Sequence, residues 1–130
     1  MKEKILAYQF LQNRLESLSR QQALILNKIS EINSTMKSLM EIEKGDVIFP
    51  IGSGVHVFGK ISEKNKFLVE VGAGVVLEKD RDESLKILER RKSKFNEILN
   101  EVQKEINYSS KILEQLISKI ERLSKDVRKI

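Results

Sequence analysis

The sequence predicts an α+β fold: a long antiparallel two-helix coiled coil with a central four-stranded segment made of two β-hairpins. Three observations carry this. Apolar residues recur at alternating steps of three and four on both flanks of the chain. The middle holds the only proline, Pro50, and all six glycines. That middle also repeats itself, since Ile51-Gly52-Ser53-Gly54-Val55 returns twenty residues later as Val71-Gly72-Ala73-Gly74-Val75.

Bulk composition narrows the class. At 130 residues the chain is expected to form one domain, 1–130. It is 40% hydrophobic and 33% charged, with only 5% aromatic residues. That much charge leaves too little for a thick globular core, while the regular apolar spacing argues against disorder. A narrow seam between helices fits both. No cysteine is present, which excludes disulfides, thiolate metal sites and cysteine catalysis. No apolar run reaches the roughly 20 residues of a membrane span, and no signal-peptide pattern opens the chain, so a cytoplasmic location is expected. The net charge of +5 invites a nucleic-acid reading. Most Lys and Arg are interleaved with Glu and Asp, however, which is the pattern of a solvated helix face.

The first helix, within residues 1–44, carries the stripe Tyr8, Leu11, Leu15, Leu18, Gln22, Ile25, Ile29, Ile32, Met36 and Leu39. Only Gln22 is polar, and it reads as a register device. Gly45 is expected to end the helix, with Lys44 against its C-terminal dipole. About 40 residues would span about 60 Å, and such a helix cannot bury its stripe alone.

Residues 47–78 form the β segment. Strands are expected at 46–51, 55–61, 67–71 and 75–77, with Pro50 at an edge or strand end. Alternation places Val55, Val57 and Ile61 on one face, with His56, Phe58 and Lys60 on the other. Phe67, Val69 and Val71 share a face in the second hairpin, and Val75 opens its last strand. Strands this few and short need their apolar face covered by something else, and open edges invite pairing. The segment is therefore expected to drive oligomerisation through Val55, Val57, Ile61, Phe67, Val69, Val71 and Val75. The Gly-x-Gly pairs are not phosphate loops: neither has a third glycine in place or opens a helix. The lone His56 has no partner that would make it a base or a metal ligand.

The second helix, within 80–130, opens with Asp80-Arg81-Asp82-Glu83, a capping-box pattern. Its stripe is Leu85, Leu88, Lys92, Phe95, Leu99, Val102, Ile106, Ser109, Leu113, Leu116, Ile120, Leu123, Val127 and Ile130. The cluster Arg90-Arg91-Lys92-Lys94 reads as solvated helix surface. Folding the two helices back on each other brings the termini together, and there Ile5, Leu6, Phe10, Ile112 and Ile117 exceed what a seam needs. Such an apolar tip marks an interaction site.

The runs Phe49-Pro50-Ile51-Gly52-Ser53-Gly54 and Val69-Glu70-Val71-Gly72-Ala73-Gly74-Val75, followed by Glu78-Lys79 and Asp82, resemble the α-type subunit of archaeal prefoldin across the whole chain. Two hairpins match the α type, whereas the β type has one. The resemblance implies a heterohexamer of two α-type and four β-type subunits, with α-type subunits joined through their strands. It also implies an ATP-independent chaperone that holds non-native proteins at coiled-coil tips and passes them to a group II chaperonin. No catalytic, cofactor or metal residues are expected. Two other functions stay open on the residues alone: a coiled-coil scaffold that binds only its own partners, and a nucleic-acid-associated coiled coil using the basic face.

Overall fold

The structure is a computed structural model that describes residues 1–128, so the expected seam residue Ile130 lies outside the described residues. Element order is α1 (Lys2–Glu41), β1 (Gly45–Gly52), β2 (Val55–Ile61), β3 (Phe67–Gly72), β4 (Val75–Lys79) and α2 (Arg81–Arg128). The chain divides into two compact units, one of Met1–Ile29 with Ser93–Ile130 and one of Ser30–Lys92.

The first unit is a helix pair. Leu18, Ile25 and Val102 form its buried core, with Ile29, Phe95, Leu99 and Ile106 packed against it. Early α1 residues meet late α2 residues and later ones meet earlier ones, so the pairing is antiparallel. Leu18 is completely buried. Two polar links flank this core. The Arg14 guanidinium pairs with the Glu105 carboxylate, its Nε donating to Oε1 at 3.0 Å. Gln22, the polar member of the α1 stripe, donates its amide to Gln103, which in turn donates to Asn107 at 3.0 Å. The α2 stripe continues covered as far as Leu123, but Val127, expected in the seam, is exposed.

The second unit joins the last turns of α1, both hairpins and the first turns of α2. α1 stops at Glu41, short of the expected boundary, and no basic residue lies in its last turn. Gly45 instead opens β1, paired with Ile61 at a φ of 143°. Asp80 caps α2 by accepting from the Glu83 N–H at 2.8 Å, as the capping pattern predicts. The Glu83 side chain goes to Lys79 at 3.4 Å. Arg81 ties the unit together. Its Nη2 donates to the carbonyls of Ile42 (3.1 Å) and Lys64 (3.3 Å), and its backbone N–H donates to the Asn65 side chain at 3.0 Å. That one residue fastens the end of α1 and the β2–β3 loop to the start of α2.

Each hairpin is a separate two-stranded antiparallel sheet. The sequence echo is a structural repeat. Both ladders skip one residue, Ile51 in the first and Val71 in the second. Both then close with a two-residue loop having positive φ at each position: Ser53 and Gly54 at 49° and 79°, Ala73 and Gly74 at 49° and 75°. Positive φ at both positions gives the turn the right-handed twist of its strands. Ser53 and Ala73 adopt it against the steric preference of their Cβ atoms.

Candidate functional site

Two surfaces stand out, one in each unit. In the helix pair, the end where the chain termini lie carries apolar side chains outside the seam. Leu6 is 59% exposed and Phe10 70%. They are four residues apart, so they share one face of α1, away from the seam stripe that begins at Tyr8. Ile5 and Ile117 are also exposed. They line a shallow cleft of about 310 Å³ together with Tyr8, Ile120 and Glu121. Ile112 is half-buried and does not line this cleft.

In the hairpin unit the apolar surface is larger. Val55, Val57, Val71 and Val75 are exposed, while Ile61, Phe67 and Val69 are half-buried. The last two have a local reason. Phe67 and Val69 line a cleft of about 280 Å³ with Leu39 of α1 and Leu88 of α2, so the chain's own helices take part of their surface. For β3, part of the cover that its short strand needs thus comes from within the chain.

The largest exposed side chains of the hairpins were not among the residues singled out by alternation. Phe58 is 91% exposed and lies directly across from exposed Ile48. Leu68 is 77% exposed on the opposite face of β3 from Phe67 and Val69. The signal was present in the cross-strand register, which puts two apolar residues opposite each other on the face that also holds His56 and Lys60. Phe49 has a specific seat. A Cβ on Gly59 would lie 2.4 Å from its ring, so only glycine leaves room for Phe49 to lie across β2.

Little else in the molecule suggests chemistry. Among the described residues no group of His, Cys, Asp and Glu could hold a metal ion. Among the described residues, too, no helix is long and apolar enough to cross a membrane. His56 is exposed opposite Pro50. Within the basic cluster, Arg91 donates to the Glu70 carbonyl and Lys92 is half-buried, leaving Arg90 and Lys94 exposed.

Comparison with known proteins bears on both surfaces. The family model described as "Prefoldin subunit" matches residues 7–126. Prefoldin subunit alpha of Pyrococcus horikoshii is 30% identical over 127 residues, covering 93% of this chain and 82% of that one. Prefoldin subunit alpha of Thermofilum pendens is 26% identical over 125 residues, covering 93% and 92%. Among solved structures, a cryo-EM structure of filamentous PFD from Methanocaldococcus jannaschii superposes with a TM-score of 0.69 at 25% identity, covering 92% of this chain and 99% of that one. With two seam-forming helices, two hairpins carrying unburied apolar faces, and relatives that match nearly end to end, the chain belongs to the prefoldin family of chaperone subunits.

Proposed function

We propose that this chain is the α-type subunit of an ATP-independent holding chaperone, assembling through its hairpins and gripping non-native proteins at the end of its helix pair. The observation that carries the reading is the exposure of Leu6 and Phe10 on one face of α1, outside a seam that is covered from Tyr8 to Leu123. Apolar surface that the fold itself does not need is what a holder of unfolded chains requires. The hairpins supply the second half, since isolated two-stranded sheets with exposed apolar faces are marginal until further strands join them. The proposed complex has two α-type and four β-type subunits, works in the cytoplasm, and hands its clients to a group II chaperonin.

The test is a Leu6→Ser/Phe10→Ser double variant in the assembled complex. Suppression of client aggregation should fall sharply while the assembled mass stays unchanged. Undiminished suppression would move the holding site elsewhere. Trimming to residues 13–109 should have a similar effect. A chain that forms its complex yet never affects aggregation would favour the scaffold reading.

A second mode of assembly is favoured by one observation. The M. jannaschii relative is filamentous, and each hairpin here has an unpaired edge on both strands. Mass measurement of this chain alone separates the modes. An open-ended ladder of masses supports self-association through the hairpins, and a single discrete species that grows only with β-type subunits supports the closed hexamer.

A further inference from the structure

The net charge of the chain is not spread over it. The sequence segments of the hairpin unit, residues 30–92, hold eleven basic and eleven acidic residues. The segments of the helix pair, 1–29 and 93–130, hold thirteen basic and eight acidic ones, so the whole +5 belongs to them.

The cations of the two units also differ in what they do. In the hairpin unit, Lys79 pairs with Glu83, Arg81 holds two carbonyls, and Arg91 holds a third. At the terminal end of the helix pair, Lys2, Lys4, Lys111, Lys119, Arg122, Lys125 and Arg128 form no ion pair or side-chain hydrogen bond with a described residue. All but Lys4 are exposed. Lys119, Arg122, Lys125 and Arg128 follow one another at steps of three, each about 60° round α2 from the last, so they form a ridge that winds half-way round the helix. On α1, Lys2 stands four residues before Leu6 and eight before Phe10, on the same face.

We propose that this end of the helix pair selects its clients by charge, preferring non-native polypeptide segments in which apolar residues are flanked by Asp and Glu. The inference rests on the client-holding reading of the same surface and names the class of segment it holds. An apolar side chain of the client enters the cleft between Ile5, Tyr8, Ile117 and Ile120, and its acidic neighbours meet the ridge. A polypeptide fits better than a nucleic acid. The cleft is lined by Ile5, Tyr8, Ile117 and Ile120 with Glu121 as its one acidic member, and Glu3, Glu114 and Asp126 also interrupt the cations. A backbone of evenly spaced phosphates would meet those carboxylates, whereas an unfolded segment can place its few acids beside cations only.

The test uses the full chain and two labelled synthetic peptides with identical apolar residues, one carrying Glu and the other Lys at the intervening positions. Affinities are read by fluorescence anisotropy at low and high salt. The expected result is a preference of about five- to tenfold for the Glu peptide at low salt, the size of a few partly screened charge contacts. That preference should vanish in high salt. It should also vanish in a Lys119→Gln/Arg122→Gln/Lys125→Gln/Arg128→Gln variant, whose helicity Gln preserves. Equal affinity for both peptides overturns the charge proposal, and if Leu6→Ser/Phe10→Ser weakens both equally, the holding reading survives it. Binding of neither peptide removes both. A single-stranded oligonucleotide that displaces the Glu peptide and binds more tightly would also overturn the proposal, in favour of a polyanion site.

Discussion

The helix pair and the hairpins are both built on simple apolar periodicities, yet they end in opposite states. In the helix pair the stripe meets a complementary stripe from the same chain, and Leu18 is lost to solvent altogether. In the hairpins each sheet has only two strands, and Phe58 and Leu68 stay almost bare. A 3.5-residue period can be satisfied by folding back once. A two-residue period makes a surface with two faces and two edges, and one chain with four short strands cannot close it. The helices thus complete themselves, while the hairpins are left with open faces and edges.

Breaking the incomplete region should have the largest effect. Val57→Asp is expected to abolish assembly, read as loss of the high-mass species in native mass spectrometry, with far-UV helicity unchanged. A carboxylate buried without a partner between subunits is strongly disfavoured. Val69→Asp should block assembly too, and should also loosen β3 from Leu39 and Leu88. Wild-type assembly of either variant would contradict the contrast.

In the self-sufficient region the effect should appear as stability instead. Leu18→Ala should lower unfolding free energy by about 2–5 kcal/mol. Leu24→Ala, on the exposed side of the same helix, should stay within about 0.5 kcal/mol. Similar melting shifts for the two would erase the distinction between seam and surface.

Smaller changes sharpen the comparison. Gly59→Ala forces the Phe49 ring out of its place and should destabilise the assembled state by about 1–3 kcal/mol. Ala73→Asn, a residue that tolerates positive φ, should stabilise the second hairpin by up to about 1 kcal/mol in thermal melts of the complex. Smallest is Arg14→Ala: its pair with Glu105 is exposed, so the loss should be below about 1 kcal/mol and should shrink in salt.

The difference also explains what could be read from sequence. The seam from Tyr8 to Leu123 was legible because burial follows spacing when two helices pair. The hairpins and their turns were legible because glycine marks positive φ. The polar links were not, since Arg14 and Glu105 sit 91 positions apart and each looks like ordinary surface charge. Arg81 was equally hidden inside a capping pattern that accounts for its neighbours. Phe58 and Leu68 were missed because assigning one face of a strand to the interface treats the other as solvent. With two strands per sheet, both faces remain open.

That 91-residue separation has a consequence for how the molecule is made. A hairpin closed by a two-residue loop forms in about 1–10 μs once its residues are free. The stripe on α1 must wait for a partner that the ribosome has not yet produced. At about 5–20 residues per second, Glu105 follows Arg14 by on the order of 5–20 seconds. Throughout that interval the apolar side of α1 is uncovered on a nascent chain. For those seconds the emerging chaperone subunit presents the kind of surface its finished form is proposed to hold.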